Sequence, residues 1–504
     1  MRLRRDVGVR VSYDDRTDFG SPIARRIDDS VRALFSQVVE HVHAHGFDDL
    51  IARSPDLMQQ CVDTEAFRSI CTSIDNGRWR LRSDILHPDV KLAPPHRLTV
   101  YREDSEAGVD LTLGAEDWPR AHRMIECLCG GVGPFTGIDD SATRQFIEFL
   151  VAEDLAETVD AEPTDASATV AHGDVTFVGH NTVLVRSSST AILIDPLFFP
   201  GSRTYPDGYQ PFAARDVGCV DAILITHSHP DHFDAASLLQ FGCDTPIFVP
   251  DIGEHGESLL TIDMVARLGE LGFTDCRTAA WNTSARVGNI DIWALPFYGE
   301  QPTDAETLHP EVRNAGNTYI VRTPRFSAAF VADSGRDGAG DAKQVATHWR
   351  RTNGPIDLLF SGYRGWLTYP VQLLFSSVSR YVLFVPPDLW GSRMQLMNNT
   401  ADAIDLAERW GARYLAPYGD GGAPWHWRIG LGPCLDGSGV EDPAFDPFVE
   451  RVVDEARART RLPGNVTGCS PVRVLLLRPG DSVNGFPESP MVRRRAGHSW
   501  PYAS

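Results

Sequence analysis

The chain has 504 residues, and its 47 lysines and arginines against 68 aspartates and glutamates give a formal net charge of −21. This acidity argues against nucleic acid and anionic membranes as partners, because both attract basic surfaces. Hydrophobic residues make up 42% of the chain and charged residues 23%, so a large core can be buried and wholesale disorder is excluded.

The cysteine pattern and the lack of long apolar runs favour a location in the cytoplasm. The N-terminal stretch has no apolar region typical of a signal peptide, and no run reaches the roughly 18 to 20 apolar residues that span a bilayer. Nine cysteines are scattered without a CxxC pair, which favours free thiols in a reducing environment. We therefore expect a cytoplasmic protein with no membrane partner.

The N-terminal third predicts a mixed α+β domain. Apolar residues at helical spacing predict helix over residues 22–60, short strands and turns follow over 78–113, and a second helical region covers 117–157. A polar stretch rich in small residues then predicts a linker near 158–170. We accordingly place a separate N-terminal domain at residues 1–165.

Residues 166–504 have a different pattern and form the second predicted domain. Short β-branched runs such as VTFVGH, TAILIDP and AILITHS alternate with helical segments such as TADAIDLAERWG. This alternation predicts an α/β domain with sheet layers and outer helices. The tail after residue 487 is polar and basic, and we expect it to be solvated or frayed.

One loop carries most of the chemical information. His227, His229, Asp231 and His232 form an HxHxDH motif directly after the apolar run AILIT. So many imidazoles and carboxylates are costly to bury together unless a cation binds them. With this spacing, the first two histidines can reach one metal ion, and the aspartate and third histidine can reach a second ion about 3.5 Å away.

The HxHxDH motif is the signature of the metallo-β-lactamase fold, and residues 170–430 resemble that superfamily. The Gly-His and Asp-Pro pairs that contain His180 and Asp195 match the places where the superfamily supports its metal loop. A later strand ends in Asp333, where the superfamily has a metal-bridging aspartate. The resemblance implies an αββα sandwich preceded by the N-terminal domain.

The sequence departs from the zinc hydrolases of this fold at one position. Where they usually supply another histidine, the stretch IDIWALPFYGEQP offers Glu300. An additional carboxylate makes the site harder and more anionic, which suits iron that alternates between Fe(II) and Fe(III). The alternative is that Glu300 is a surface turn residue after Gly299.

This stretch and the long N-terminal domain together resemble the CmlA-like diiron β-hydroxylases of chloramphenicol-type and nonribosomal peptide biosynthesis. The resemblance implies two iron ions, dimerisation through the N-terminal domain, and O2-dependent hydroxylation of the β-carbon of an aminoacyl group. That group is held as a thioester on a carrier (thiolation) domain. An external electron donor is needed, because the chain has neither a GxGxxG fingerprint in strand–helix context nor a CxxC redox pair.

The same resemblance implies a ligand set of four histidines and three carboxylates. His227, His229 and Glu300 would bind one iron. Asp231, His232 and a last histidine would bind the other. Asp333 would bridge the two ions, and Glu300 and Asp333 would be closest to catalysis. The expected ligands are His227, His229, Asp231, His232, Glu300, Asp333 and His426.

The last histidine is the least defined member of this set. In many relatives it directly follows a strand that in this chain ends in Tyr418. His426, a few residues later in GDGGAPWHW, is the expected ligand, and His348 and His309 are the alternatives.

Three other functions share part of this pattern. The chief alternative is a zinc-dependent hydrolase, such as a phosphodiesterase or lactonase, in which metal-bound hydroxide attacks an ester or phosphate. A diiron flavoprotein would carry a glutamate in the loop where this chain has His229. A scaffold protein with a degenerate site is the last alternative, which the intact motif disfavours.

Overall fold

The computed structural model describes most of the chain, with gaps. The described residues are 1–13, 22–73, 79–81, 94–130, 141–158, 174–203, 205, 209–253, 262–299, 314–365, 367–375, 382, 385–419, 449–460 and 472–495. None of the helices within these ranges combines the length and the apolar character that crossing a membrane requires.

The N-terminal part combines helices with short antiparallel strands. Its strands are β1 (Arg2–Leu3), β2 (Val7–Ser12), β3 (Cys71–Ser73), β4 (Trp79–Leu81), β5 (Arg97–Arg102), β6 (Gly108–Thr112) and β7 (Ala156–Glu157). Its helices are α1 (Pro22–His45), α2 (Phe47–Val62), α3 (Glu65–Ile70), α4 (Trp118–Gly130) and α5 (Ser141–Ala152). Strands β2, β5 and β6 form an antiparallel sheet with β5 in the centre, called the N-terminal sheet below.

The helix predicted over residues 22–60 is divided into α1 and α2. Gly46 separates them at φ +86°, a left-handed conformation that glycine adopts without steric cost. The strands predicted over 78–113 correspond to β4, β5 and β6, and the helices predicted over 117–157 correspond to α4 and α5.

The later part of the chain alternates between strands and helices. Its first strands are β8 (Val175–Gly179), β9 (Thr182–Arg186), β10 (Ala191–Ile194), β11 (Ala222–Leu224), β12 (Ile247–Pro250), β13 (Cys276–Ala279), β14 (Thr283–Val287) and β15 (Ile290–Pro296). The following strands are β16 (Asn317–Arg322), β17 (Ser327–Phe330), β18 (Arg336–Asp337), β19 (Gly340–Asp341), β20 (Leu358–Ser361), β21 (Leu367–Thr368), β22 (Met394–Gln395), β23 (Tyr414–Pro417), β24 (Arg473–Val474), β25 (Ser482–Asn484) and β26 (Met491–Arg493). The helices are α6 (Ala214–Val217), α7 (Ala235–Leu238), α8 (Met264–Glu270), α9 (Ala342–Asn353), α10 (Thr400–Trp410) and α11 (Glu450–Thr460).

Two sheets pack face to face in this part. The first sheet has the strand order β13-β12-β11-β10-β9-β8-β25-β26, and the second has the order β14-β15-β16-β17-β20-β23-β24. Their facing side chains form one buried cluster that includes Val183, Ile194, Phe330 and Phe360. Helices α6 to α8 cover the outer face of the first sheet, and α9 to α11 cover that of the second. The predicted αββα sandwich is therefore confirmed.

Parallel strands position the functional loops. Strands β10 to β13 are parallel in the first sheet, and β17, β20 and β23 are parallel in the second. Their short apolar sequences are buried along their whole length where both faces of a sheet are covered, as in the AILI run of β10. Ligand sites in such sheets form at the carboxyl ends of strands, and the loops after β11 and β17 begin there.

The N-terminal part packs on the sandwich through two buried clusters. In one, Trp118 of α4 and Leu150 of α5 join Leu193 and Ile223 of the first sheet. In the other, helices α1 to α3 pack against apolar side chains of residues 371–396. The boundary predicted at residue 165 lies outside the described residues and stays a prediction.

The tail expected to be frayed is folded as far as Arg495. Strand β26 pairs antiparallel with β25 and extends the first sheet. Arg494 forms an ion pair with Asp481, and the Arg495 guanidinium lies 4.1 Å from the centroid of the Phe212 ring. The basic residues of the tail therefore bind the body of the protein rather than only solvent.

We predict that Asp216→Asn destabilises the protein by about 1–2 kcal/mol, since it weakens a charged pair of hydrogen bonds that ties the N-terminus to the sandwich. Arg5 donates two bonds of 2.8 Å to the Asp216 carboxylate. Burial raises the pKa of Asp216, but Arg5 lowers it by more, so the net pKa lies below the usual value. The stabilisation is therefore present above the unfolded pKa of about 4 and is lost as the pH falls through the lower folded pKa.

Urea unfolding of wild type and variant between pH 7 and pH 3 measures this difference. Asp154→Asn is the matched control, because the exposed Asp154 carboxylate pairs with Arg4 at 2.6 Å and should matter much less. Equal unfolding curves for wild type and Asp216→Asn at pH 7 would contradict the prediction.

Candidate metal centre

The HxHxDH loop starts directly after β11 and is attached there to the second sheet. The Thr226 carbonyl accepts a hydrogen bond of 2.7 Å from the Asn317 N–H, and His227 forms an antiparallel bridge with Gly316. The Phe297 ring occupies the space that a side chain on Gly316 would need, and it packs 5.1 Å from the His227 ring. The first histidine of the motif therefore lies at the junction of the two sheets.

The rest of the motif is a tight turn that leads into a short helix. The N–H of His232 donates to the His229 carbonyl at 2.9 Å, which folds the intervening residues outward. The Asp234 carboxylate then caps α7 by accepting a 2.8 Å hydrogen bond from the Ser237 N–H. This local hydrogen bonding explains why the third histidine returns toward the first.

Five side chains form two groups that could each hold a metal ion. One group contains His180, Asp231 and His232, and the other His227, His232 and Asp333, with all candidate ligand atoms of a group within 4.8 Å of one another. The His232 Nε2 atom lies 3.2 Å from Asp333 Oδ2 and 3.7 Å from Asp231 Oδ2, so it is shared. The His227 Nε2 atom lies 3.7 Å from Asp333 Oδ2.

His229 lies beside this cluster, and His180 is a member of it that the sequence did not predict as a ligand. The His229 ring stands nearly perpendicular to the His227 ring, with 4.8 Å between centroids. The His180 Nε2 atom lies 3.1 Å from Asp231 Oδ2, so His180, expected only to support the loop, offers another imidazole within the described site. The structure thus brings the predicted motif residues and Asp333 together, while their roles as ligands stay a prediction.

Asp195 orients the loop. Its Oδ2 atom accepts hydrogen bonds from His232 Nδ1 at 2.7 Å and from the Thr226 hydroxyl at 2.6 Å. Its Oδ1 atom accepts from the Thr226 N–H at 2.7 Å. A histidine that donates from Nδ1 must present Nε2 to a metal, so Asp195 determines both the ring orientation and the tautomer of His232.

A buried tyrosine holds the turn that carries Asp333. Ala332 has φ +50°, a conformation rarely adopted by residues with a side chain, and its N–H donates to the Tyr418 hydroxyl oxygen at 2.7 Å. Burial raises the pKa of Tyr418 well above its usual value, so the phenol stays neutral. Tyr418 therefore supports the turn that carries Asp333.

The charges of the cluster require a bound cation or protons. Burial lowers the pKa of His232, but Asp231, Asp333 and Asp195 raise it by more, so the net pKa lies well above the usual value. Burial raises the pKa of Asp231, but His232, His180 and His229 together lower it by more, and its net pKa lies well below the usual value. The cluster therefore favours a positively charged group beside the Asp231 carboxylate.

The imidazole and carboxylate groups of the cluster also fit bound metal ions, because a cation can balance the same negative charges. Imidazole binds a metal only in its neutral form, so a bound cation would replace the proton that His232 otherwise holds. Imidazole nitrogens and carboxylate oxygens, arranged in two groups with a shared centre, suit a pair of divalent first-row ions.

The remaining predicted ligands are not described with this cluster. Glu300, His426 and His309 lie outside the described residues. His348 is an exposed residue of α9, where its Nδ1 atom lies 3.2 Å from an Arg351 nitrogen, and it belongs to neither metal group.

Sequence reasoning missed residues that surround the ligands. Asn181 places its side-chain nitrogen 3.2 Å from His232 Nε2 and 3.4 Å from His180 Nε2. The Asn181 side chain also fills the space beside Gly419, whose N–H donates to the His180 carbonyl at 3.0 Å. The position of Asn181 directly after the Gly-His pair was the signal that could have identified it.

Comparison with known proteins agrees with this architecture. Residues 190–417 match the family model described as the Beta-lactamase superfamily domain. The chain contains a β-lactamase superfamily domain. The matched segment begins just before β10 and ends with β23, and thus includes the HxHxDH loop and Asp333 of this superfamily domain.

Similar proteins include a hydroxylase and a hydrolase. The 4-amino-L-phenylalanyl-[CmlP-peptidyl-carrier-protein] 3-hydroxylase of Streptomyces venezuelae is 29% identical over 256 residues, which are 49% of this chain and 45% of that protein. A metal-dependent hydrolase of Thermus thermophilus is 42% identical over 72 residues, 14% of this chain and 28% of that protein. The chain therefore spans less than half of each of these two curated relatives.

One solved structure matches almost the entire chain. The crystal structure of CmlA, a diiron beta-hydroxylase from Streptomyces venezuelae, superimposes with a TM-score of 0.58 and 16% sequence identity. The match covers 98% of this chain and 99% of that chain. The fold is therefore shared over the N-terminal part as well as the superfamily domain.

We predict that Asp195→Asn weakens metal binding about 10–100-fold, because an amide cannot accept all the hydrogen bonds that orient His232. The substitution keeps the size of the side chain, and asparagine tolerates the left-handed φ of +42° at this position. Chelator competition measures the affinity. Asp221→Asn is the control, because Asp221 accepts a bond from Ala191 N–H at the opposite end of β10. Unchanged affinity in Asp195→Asn would contradict the prediction.

Proposed function

We propose that the protein is a diiron monooxygenase that β-hydroxylates an aminoacyl group tethered as a thioester to a carrier domain. The fold likeness to CmlA over 98% of the chain supports this proposal, because it includes the N-terminal part. The hydrolase relative named above matches only 14% of the chain. The hydroxylase relative acts on a substrate attached to a peptidyl-carrier protein, by its name, and its similarity extends over 49% of this chain.

The side chains would divide their work as follows. His227, His229 and Glu300 would hold one iron, Asp231 and His232 would hold the other, and Asp333 would bridge them. His426 or His180 would complete the second site. When bound, the iron pair supplies the redox chemistry that activates O2. Asp195 and Tyr418 keep the ligands oriented, and the buried histidines exclude water from the metal side of the site.

Partners and assembly follow from the same proposal. The substrate would arrive on an aminoacyl-loaded carrier domain of a nonribosomal peptide synthetase, and an external electron donor would supply two electrons. The protein would act as a homodimer through its N-terminal domain. These proposals rest on the hydroxylase resemblance rather than on a described interface.

Metal content and turnover test the proposal together. Protein produced with iron and zinc both available should contain about two irons per chain, because carboxylate-rich sites favour iron that changes oxidation state. With an aminoacyl-carrier substrate, reductant and O2, mass spectrometry should show the addition of one oxygen atom to the aminoacyl group. Zinc-filled protein should be inactive in the same assay. Iron-filled protein that adds no oxygen to any aminoacyl-carrier would overturn the proposal.

Substitutions of Glu300 and His426, the expected ligands that do not belong to the five-residue cluster, test whether they bind metal. Glu300→Ala and His426→Ala should each lower the metal content from about two to about one ion per chain, since each removes a donor of one site. His348→Ala is the control on the surface of α9 and should keep both ions. Two ions in Glu300→Ala would mean that Glu300 is a turn residue. Loss of an ion in His180→Ala but not in His426→Ala would make His180 the last ligand.

The hydrolase similarity favours a second candidate function. The relative from Thermus thermophilus is a metal-dependent hydrolase by its name, and it is 42% identical over the 72 residues compared. The same residues would hold zinc, which when bound would supply Lewis-acid chemistry for the hydrolysis of an ester or phosphodiester. Two zinc ions, hydrolysis of such esters and no oxygen incorporation after iron loading would favour this function.

A further inference from the structure

A cavity of about 340 Å³ lies between the N-terminal sheet and the metal loop. Strands β2 and β5 form one wall, and the loop that contains Pro230 and Asp231 forms the other. The N-terminal part therefore contributes directly to the surroundings of the candidate metal centre. This contact gives the N-terminal sheet a role beyond support of the sandwich.

The lining of the cavity combines polar and apolar side chains. The Asp231 side chain, which belongs to the lining, is 17% exposed, whereas the neighbouring His232 is fully buried. Val9, Val11 and Phe198 add apolar surface to the same lining. A ligand in this space would therefore contact apolar side chains as well as the metal loop.

Arg10 adds a positive charge to the lining of the cavity. Arg10 is exposed, and its guanidinium carbon lies 4.7 Å from the centroid of the Tyr101 ring. Among the described residues Arg10 forms no ion pair, and Glu103, Asp104, Glu106 and Asp110 line a neighbouring pocket together with it. In a chain with a net charge of −21, this position offers a local site for an anion.

The Tyr101 ring can lie beside Arg10 because its partner on the neighbouring strand, Gly8, has no side chain. Gly8 and Tyr101 are paired in the β2–β5 ladder, and a Cβ atom on Gly8 would lie 2.8 Å from the Tyr101 ring. The ring therefore lies across β2, next to Arg10. Burial and the nearby Glu103 raise the pKa of Tyr101 above its usual value, so its hydroxyl remains a hydrogen-bond donor.

We propose that Arg10 and Tyr101 bind the phosphodiester of a carrier-bound phosphopantetheine arm, which extends through the cavity to Asp231 and the metal loop. The arm has a phosphodiester at one end, a thioester at the other, and a chain with two methyl branches and two amides between them. Its anionic end matches Arg10, and its apolar branches match the Val9, Val11 and Phe198 side chains of the cavity. This inference rests on the proposed function, since it names how that substrate is bound.

Binding measurements on the metal-loaded, full-length protein test the inference without turnover. The probes are the methyl phosphodiester of 4′-phosphopantetheine and pantetheine itself, which lacks the phosphate. Wild type should bind the phosphodiester about 10-fold more tightly than pantetheine, because the charged Arg10 guanidinium and the neutral Tyr101 hydroxyl would both donate to the phosphate. In Arg10→Gln this preference should fall to about 1–2-fold, and in Tyr101→Phe to about 3-fold.

Arg97→Gln is the matched control, because Arg97 belongs to the same N-terminal sheet, on strand β5 with Tyr101, but does not line the cavity. It should keep the 10-fold preference. Equal binding of both probes by wild type, a preserved preference in Arg10→Gln, or equally tight binding of inorganic phosphate would overturn the inference. These outcomes differ from failure of the hydroxylase proposal, which would appear as absent oxygen incorporation whatever the binding preference.

Discussion

The hydrogen bonds accepted by the Asp195 carboxylate are the interactions on which the metal centre depends most. Asp195 ends β10, while Thr226 and His232 mark the two ends of the loop after β11. Because β10 and β11 are parallel neighbours, one carboxylate attaches the whole HxHxDH loop to the edge of the first sheet. The buried Asp195 carboxylate thus fixes the orientation of the candidate ligand side chains on a loop between a strand and a helix.

Asp333 follows β17 of the second sheet, whereas the HxHxDH loop follows β11 of the first. The packing of the two sheets therefore sets the distance between Asp333 and the motif histidines. Phe330 and Phe360 stack with 5.1 Å between their centroids, and Tyr418 packs 5.3 Å from Phe360. The same tyrosine holds the backbone of Ala332 next to Asp333. Close-packed interiors yield little to local strain, so the Asp333 carboxylate meets His232 at a distance determined by the core rather than by the loop.

The sequence predicted those parts of the fold and site that depend on local pattern. The HxHxDH spacing and the apolar runs before it placed the metal loop at a strand end, and the Asp-Pro pair pointed to Asp195. The role of Tyr418 could not be predicted in this way, because it requires the lateral order of β17, β20 and β23. Arg495 was likewise assigned to a frayed tail, since its contact with Phe212 joins residues far apart in sequence.

Exposure within the centre determines the direction from which a substrate can reach it. Among the described ligands, His227 and His232 are fully buried, whereas the side chains of Asp231 and Asp333 are 17% and 13% exposed. The carboxylate side is thus the open one, and Asp231 lies on the wall of the cavity bounded by the N-terminal sheet. A substrate that enters there must fit between two parts of the chain. Under the proposed function, the sandwich would hold the metal ions, and the N-terminal sheet would limit the shape and charge of what reaches them.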